Sequence, residues 1–403
     1  VVSRNRLVLV GGVAALLAAG IGAVADGGGA GPAGASAAAV GAPGGGADAD
    51  YSGLPHTAVQ VSPGSCGVGW TRPAAGLQVF DLTDTGTAAE DAYLETTAGA
   101  VLAEVEGLAP GRTRPVPVRL GAGSYRFQCL PQDTDAVTGP TVTVTGGAGS
   151  GPAVVPVTQQ DLIPPTLAYQ AWVSRQLPSL IADVDTLRAA VDRGDLAAAR
   201  AAWLPAHLDY ERLGAAYGTF GDLDRSINGT TRGLPGGTAD PGFTGFHRLE
   251  YGLWHGEPAG TLRPVAAQLA TDVRTLQSSW AQAQMDPKDL GLRAHEIVEN
   301  TIQFELTGRT DFGSASSLAT ARANLQGTAE TLTLLRPLLQ TRLPGLAQLD
   351  AAMAAADSEL AGLGGVPLSG LPTGRRERLN AVFGQLVTEL APVAAICDVR
   401  RTS

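Results

Sequence analysis

The chain predicts two folded domains in series, a small all-β sandwich followed by an all-α helical bundle. Three observations predict this. Over residues 52–145 apolar and polar positions alternate with a period of two, as in half-buried strands. After Pro164-Pro165 the apolar spacing becomes helical. Two Gly/Pro-rich stretches, residues 26–51 and 147–163, set these textures apart as linkers. The domains therefore span residues 52–146 and 164–403.

The N-terminus reads as an export signal over residues 1–25. Arg4 and Arg6 form a positive n-region, an uncharged apolar run follows, and Ala23-Val24-Ala25 is an Ala-x-Ala cleavage site. The run is long enough to serve instead as an uncleaved membrane anchor. Either way the chain is expected to be exported, to a periplasmic or extracellular membrane-associated location. No later stretch reads as a membrane span. A net charge of -10 without a basic cluster argues against nucleic acid as a partner.

Strand texture appears in Ala58-Val59-Gln60-Val61-Ser62, in Leu77-Gln78-Val79-Phe80-Asp81-Leu82, in Arg114-Pro115-Val116-Pro117-Val118-Arg119-Leu120 and in Thr141-Val142-Thr143-Val144-Thr145. Turn signals such as Pro63-Gly64 and Ala109-Pro110-Gly111 separate them, which suggests a small antiparallel sandwich. Cys66 and Cys129 fall within this segment, where they form either a disulfide or part of a metal site. Cys397 sits in an apolar context and is expected to pack.

In the second domain, Trp172, Leu177, Leu180, Ile181, Val184, Leu187 and Val191 follow helical spacing up to Gly194. A second helix is expected from about Asp195 to Tyr217. Asp286-Pro287 starts another, ended by Gly308, and further helices open at Ser314 and Thr373. Several stretches are polar where helices should pack. His207 and Glu211 are four apart, as are His295 and Glu299. Asp222-Leu223-Asp224 is placed in a loop after Gly221. In Gly245-Phe246-His247-Arg248-Leu249-Glu250, His247 and Glu250 lie one helical turn apart on one face. Such a pair can hold a metal ion, act as acid and base, or be a buried histidine satisfied by a glutamate. Imidazoles and carboxylates converging from several helices are how bundle proteins build iron sites. Inter-helix salt bridges with Arg212, Arg225, Arg248 and Arg293 are the alternative.

Tyr210-Glu211-Arg212, Gly221-Asp222-Leu223-Asp224-Arg225-Ser226-Ile227 and Phe243-Thr244-Gly245-Phe246-His247-Arg248-Leu249-Glu250 resemble, in order and spacing, the imelysin-like (peptidase M75) family, especially its iron-uptake members. The resemblance covers residues 160–400 and implies an all-helical fold of two bundle halves. It implies an extracytoplasmic protein that captures iron and passes it to an iron permease in the membrane, alongside an exported haem peroxidase; a monomer is expected. The implied metal ligands are His247, Glu250, Glu211, Asp224 (with Asp222 as the lesser choice) and Glu299, with Glu296 as its fallback. Gly214 departs from the family, which has a second glutamate there. The alternative implied activity is a zinc-dependent peptidase using His-x-x-Glu, with His295 as a third ligand. Residues 52–146 are similar to the cupredoxin-like domain of longer family members, through Cys66, the run from Glu106 to Gly111, and Gly123-Ser124-Tyr125-Arg126-Phe127-Gln128-Cys129. That implies a second metal, copper or iron, held by Cys66 and Cys129 with Glu90 or Glu106. With His56 the sole histidine of this domain, a blue-copper set of two imidazoles and a thiolate is not available.

Overall fold

The computed structural model describes residues 51–132 and 134–400. The expected leader or anchor, and the spacer up to residue 50, lie outside the described residues.

The N-terminal part is β-rich. One sheet has the order β1 (His56–Val61), β2 (Gly76–Asp84), β5 (Thr113–Leu120). The other has the order β4 (Val101–Leu108), β3 (Glu90–Thr96), β6 (Gly123–Pro131), β7 (Val137–Thr138), with β8 (Val142–Val144) also on β6. The four alternating segments of the sequence fall in β1, β2, β5 and β8. The expected antiparallel sandwich needs one correction: β1 and β2 run parallel, with His56 opposite Val79 and Val61 opposite Asp84. A parallel pair needs a crossover connection, and residues 62–75 supply it, carrying Cys66 and Trp70. Trp70, Phe80 and Phe127 meet edge to face between the sheets, with ring centroids 4.9 to 5.8 Å apart. Such contacts favour one packing of the core over others.

The C-terminal part is all helical. Its first half consists of α1 (Gln159–Asp192), α2 (Leu196–Glu211), the short α3 (Tyr217–Phe220) and α4 (Asp222–Asn228), α5 (Gly245–Trp254) and α6 (Ala259–Trp280). Its second half consists of α7 (Asp289–Asn300), α8 (Ser317–Arg342), α9 (Leu346–Ala361) and α10 (Thr373–Cys397). Helix α1 packs on α2 and α6, α10 packs on α7 and α9, and α2 meets α8 where the halves join. One continuous apolar core runs through both.

Several helix boundaries differ from the sequence expectation. Helix α1 begins before Pro164-Pro165, because Thr158 and Asp161 form a reciprocal capping box at residue 158. The prolines remove only bonds to the first-turn carbonyls, where the cost is smallest. The second helix stops at Glu211, and a 3-10 turn over Gly214–Ala216 precedes α3. Asp222 and Asp224 lie on short helix α4 rather than in a loop. Helix α7 starts at Asp289 and α8 at Ser317, two and three residues later than expected. Helix α10 is long and apolar enough to cross a membrane by length and composition, contrary to the sequence expectation. Its Leu379, Phe383, Leu386, Leu390 and Val393 are buried in the bundle core, as is the free thiol Cys397.

The two parts touch. Val101 and Val154 exchange backbone hydrogen bonds at 2.8 Å, and Arg400 at the end of the bundle makes a forked ion pair with Glu104 on β4 at 2.6 and 2.8 Å.

Candidate metal centre

The polar stretches of the second domain meet at the join between the bundle halves. The last turn of α2 carries His207, Tyr210 and Glu211; α4 carries Asp224 and Asn228; α5 carries His247 and Glu250. A π-helical turn over Thr301–Glu305 follows α7 and supplies Glu305, and α8 supplies Asn324. π-turns recur at functional sites because the extra residue re-aims side chains. Close backbone approach makes the convergence possible. A Cβ on Gly245 would lie 2.0 Å from the Ile227 carbonyl oxygen, and one on Gly327 2.3 Å from that of Arg212. Gly245 also has φ of +73°, a conformation costly for other residues. The indole of Trp203 donates to the Phe246 carbonyl at 2.9 Å and so ties α2 to α5.

One ligand atom from each of His207, Glu211 and His247 lies within 4.8 Å of the other two, and all three side chains are buried. Glu211, Asp224, His247 and Glu305 line a single cavity of about 460 Å³. His207 stands behind Glu211. Its Nε2 is 3.0 Å from Glu211 Oε1 and 3.1 Å from Asn228 Oδ1, and its Nδ1 is buried without a partner. Asn228 donates to Glu211 Oε1 at 2.7 Å. Asn324, with its amide turned so that nitrogen meets acceptors, donates to Glu211 Oε2 at 2.9 Å. Tyr210 donates to Asp224 Oδ1 at 2.7 Å, and Thr310 to Glu305 Oε1 at 2.7 Å.

Glu250, expected as a ligand beside His247, occupies a different place. It does not line the cavity. Its Oε2 faces His247 Nδ1 at 3.2 Å, while Oε1 accepts from the Phe312 and Ser314 backbone N–H groups and the Ser314 hydroxyl. Both oxygens are therefore engaged. An ionised carboxylate at Nδ1 holds the imidazole proton there, which leaves Nε2 as the lone-pair nitrogen. The loop that serves Glu250 is held by Asp311, which accepts from the Gly313 and Ala315 N–H groups. Ala315 has φ of +59°, a strained conformation held by its surroundings.

Charge balance explains how so many acids share one pocket. Burial pushes Glu305 up to about 8, and the neighbouring Glu211 carboxylate adds to the shift. Burial also raises Asp224 above the usual carboxylate range. For His207, burial opposes the charged form, but its hydrogen bond and attraction to Glu211 outweigh this and raise its pKa. For Glu211, burial works upward, yet His207, Asn228 and His247 prevail and lower it. Glu250 is likewise lowered against its burial by His247 and Ser314. These shifts favour a charged His207–Glu211 pair and a protonated Glu305. Among the described residues, His207, Glu211 and His247 are the group whose ligand atoms lie within 4.8 Å of one another; Asp224 and Glu305 line the same cavity and offer further oxygen donors, a mixture that suits iron, manganese or zinc better than soft copper(I).

The other expected ligands lie elsewhere. Glu299 is half exposed and faces His295 at 3.6 Å along α7, so it does not reach the cavity. Glu296 lies at the cavity wall, paired with Arg293. Asp222 is exposed. Gly214, expected to depart from the family, packs against Ile297, whose side chain a Cβ would meet at 3.1 Å. In the β domain, Cys66 and Cys129 are joined in a disulfide with Cα atoms 5.7 Å apart. Each sulfur is thereby bonded to the other, so of the two alternatives the disulfide is present, and the implied thiolate metal site is corrected. Glu106 is exposed on β4, whereas Glu90 is buried beside Asp84. Sequence reasoning missed Glu305, Asn228, Asn324 and the loop of residues 311–314. The one available signal was Glu305 itself, a carboxylate between Phe304 and Leu306.

A two-halved helical bundle that closes around a buried cluster of imidazoles and carboxylates defines the class of this protein. The chain belongs to the imelysin family, peptidase M75, whose model matches residues 166–392. It is 31% identical over 262 residues to "Iron uptake system component EfeO" of Yersinia pseudotuberculosis, covering 65% of this chain and 68% of the relative. It is 30% identical over 263 residues to the protein of that name from Escherichia coli K12, covering 65% and 69%.

Proposed function

We propose that this protein is an extracytoplasmic component of an iron-uptake system, which captures iron in its helical domain and delivers it to a membrane permease. The observation that carries the proposal is the cavity itself. Glu211, Asp224, Glu305 and His247 line it from four separate segments. The relatives named as iron-uptake components support the same reading. In it, Glu211, Asp224, Glu305 and His247 hold the metal, while His207 and Glu250 hold Glu211 and His247 in place. An exported haem peroxidase is the proposed companion. The β domain is proposed to be cupredoxin-like in descent; with its cysteines cross-linked, its role is structural or in docking to the permease rather than in holding copper or a second iron.

The test is iron titration of the purified protein, followed by calorimetry or by competition with a chromogenic chelator. One tight site is expected, and it should disappear in His247→Ala and Glu211→Ala while circular dichroism stays unchanged. Unaltered iron binding in both variants would remove the site assignment. Zinc-dependent cleavage of a peptide library would favour the peptidase instead.

A further inference from the structure

The cavity is much larger than a metal ion requires. Its volume of about 460 Å³ falls within the ~300–1,000 Å³ of pockets that hold small organic ligands. Its lining also includes Arg293, Glu296, Asn300, Thr230, Tyr217 and Phe304. Arg293 is built into this lining. Its guanidinium lies against Gly218, where a Cβ would sit 2.8 Å from Nη2, so any larger residue at 218 would displace it. Nη1 pairs with Glu296 at 2.5 Å, but Nε is buried and has no hydrogen-bond partner. Glu296 offsets the charge of Arg293, but the buried Nε–H remains an unmet donor. It favours a cargo that brings negative charge and acceptor oxygens to that side, since guanidinium donors match a carboxylate in shape and charge.

Building on the iron-capture reading, we propose that the cavity takes iron as a complex with a small hydroxycarboxylate of about the size of citrate. Glu211, Asp224, Glu305 and His247 take coordination positions on the metal. A free carboxylate of the chelator meets Arg293, with Asn300 and Thr230 as neighbouring polar contacts. No bond of the chelator is broken, and the exchange is one of metal ligands only.

The test loads the full protein with ⁵⁵Fe(III) and ¹⁴C-citrate, removes unbound label by gel filtration, and counts both isotopes. Wild type is expected to retain the two labels at one to one, and to retain no citrate when iron is omitted. Arg293→Gln should retain iron but lose most of the citrate, with at least a tenfold rise in the citrate concentration needed for half retention. Arg293→Lys, which keeps the charge and loses the fork, should fall between. His247→Ala should retain neither label. Iron without citrate on the wild type would overturn the chelate proposal and leave iron capture standing. Equal citrate retention by wild type and Arg293→Gln would overturn the role of Arg293. No retention of iron in either form by the wild type would overturn the iron-capture reading, and the chelate proposal with it.

Discussion

Replacing Glu250 by Gln tests the central feature of the site, because Gln keeps the shape and changes one atom's hydrogen-bonding sense. In the native protein Glu250 Oε1 accepts from Phe312 N–H, Ser314 N–H and the Ser314 hydroxyl, and Oε2 accepts from His247 Nδ1. The Gln oxygen will stay with the loop donors, because the flipped amide would set NH₂ against two backbone N–H groups. Its NH₂ then faces His247 Nδ1, and two donors cannot share that contact. The imidazole proton moves to Nε2, the nitrogen needed for a metal. Restoring the binding tautomer costs about one unmade hydrogen bond, ~1–3 kcal/mol, which corresponds to a ~10–100-fold loss of metal affinity, the range seen when such outer partners are removed. Fold stability should fall less, by ~1–2 kcal/mol, since three of the four hydrogen bonds persist. The assay is iron competition with a chelator, paired with ¹⁵N shifts of the His247 ring in the metal-free protein. If Glu250→Gln binds iron as tightly as wild type, or its His247 still carries the proton on Nδ1, the positioning argument fails. A loss as complete as in His247→Ala would instead make Glu250 a direct ligand.

Three further outcomes are expected. The Cys66–Cys129 disulfide closes a loop with a sequence separation of 63, so Cys66→Ala/Cys129→Ala should lower unfolding stability by about 4 kcal/mol on chain-entropy grounds while leaving iron binding intact. Urea denaturation checks the first part, and a loss under about 1 kcal/mol would mean the cross-link constrains little. Burial, with the nearby Asp84 carboxylate, pushes Glu90 up to about 7 from 4.5. The unfolded chain therefore loses this proton first, and stability should decline as pH rises from about 4.5 to 7, by at most about 3 kcal/mol. Glu90→Gln should flatten that decline and melt higher than wild type at pH 8, and an identical pH profile for both proteins would count against it. Gly245→Ala adds a Cβ against the Ile227 carbonyl at a residue with positive φ, so a loss of about 2–4 kcal/mol with weakened iron binding is expected; an unchanged melting temperature would show that α4 and α5 can separate without cost.

The sequence by itself determined the order of textures, from alternating strands to helical spacing, because side-chain periodicity is a local property of each segment. It also determined that His247 and Glu250 share a helical face and that Glu211 and Asp224 come from flanking segments. Other features depend on residues distant in the chain. The parallel pairing of β1 with β2 reflects a crossover whose register no local pattern encodes. Glu299 has the same residue type and spacing to a histidine as Glu211, yet it faces solvent, because α7 turns that side away from the join. Glu305 enters the cavity through a π-turn and carries no motif of its own. The assignment of Glu250 required Phe312 and Ser314, more than sixty residues later, since whether a carboxylate faces a cavity or an imidazole depends on which donors surround it. The cysteine pair was legible as either a disulfide or a metal site, and the proximity of the crossover to β6 decided between them. The His247–Glu250 pair thus divides in two, with His247 facing the cavity and Glu250 behind it, a distinction that only the packed neighbours make.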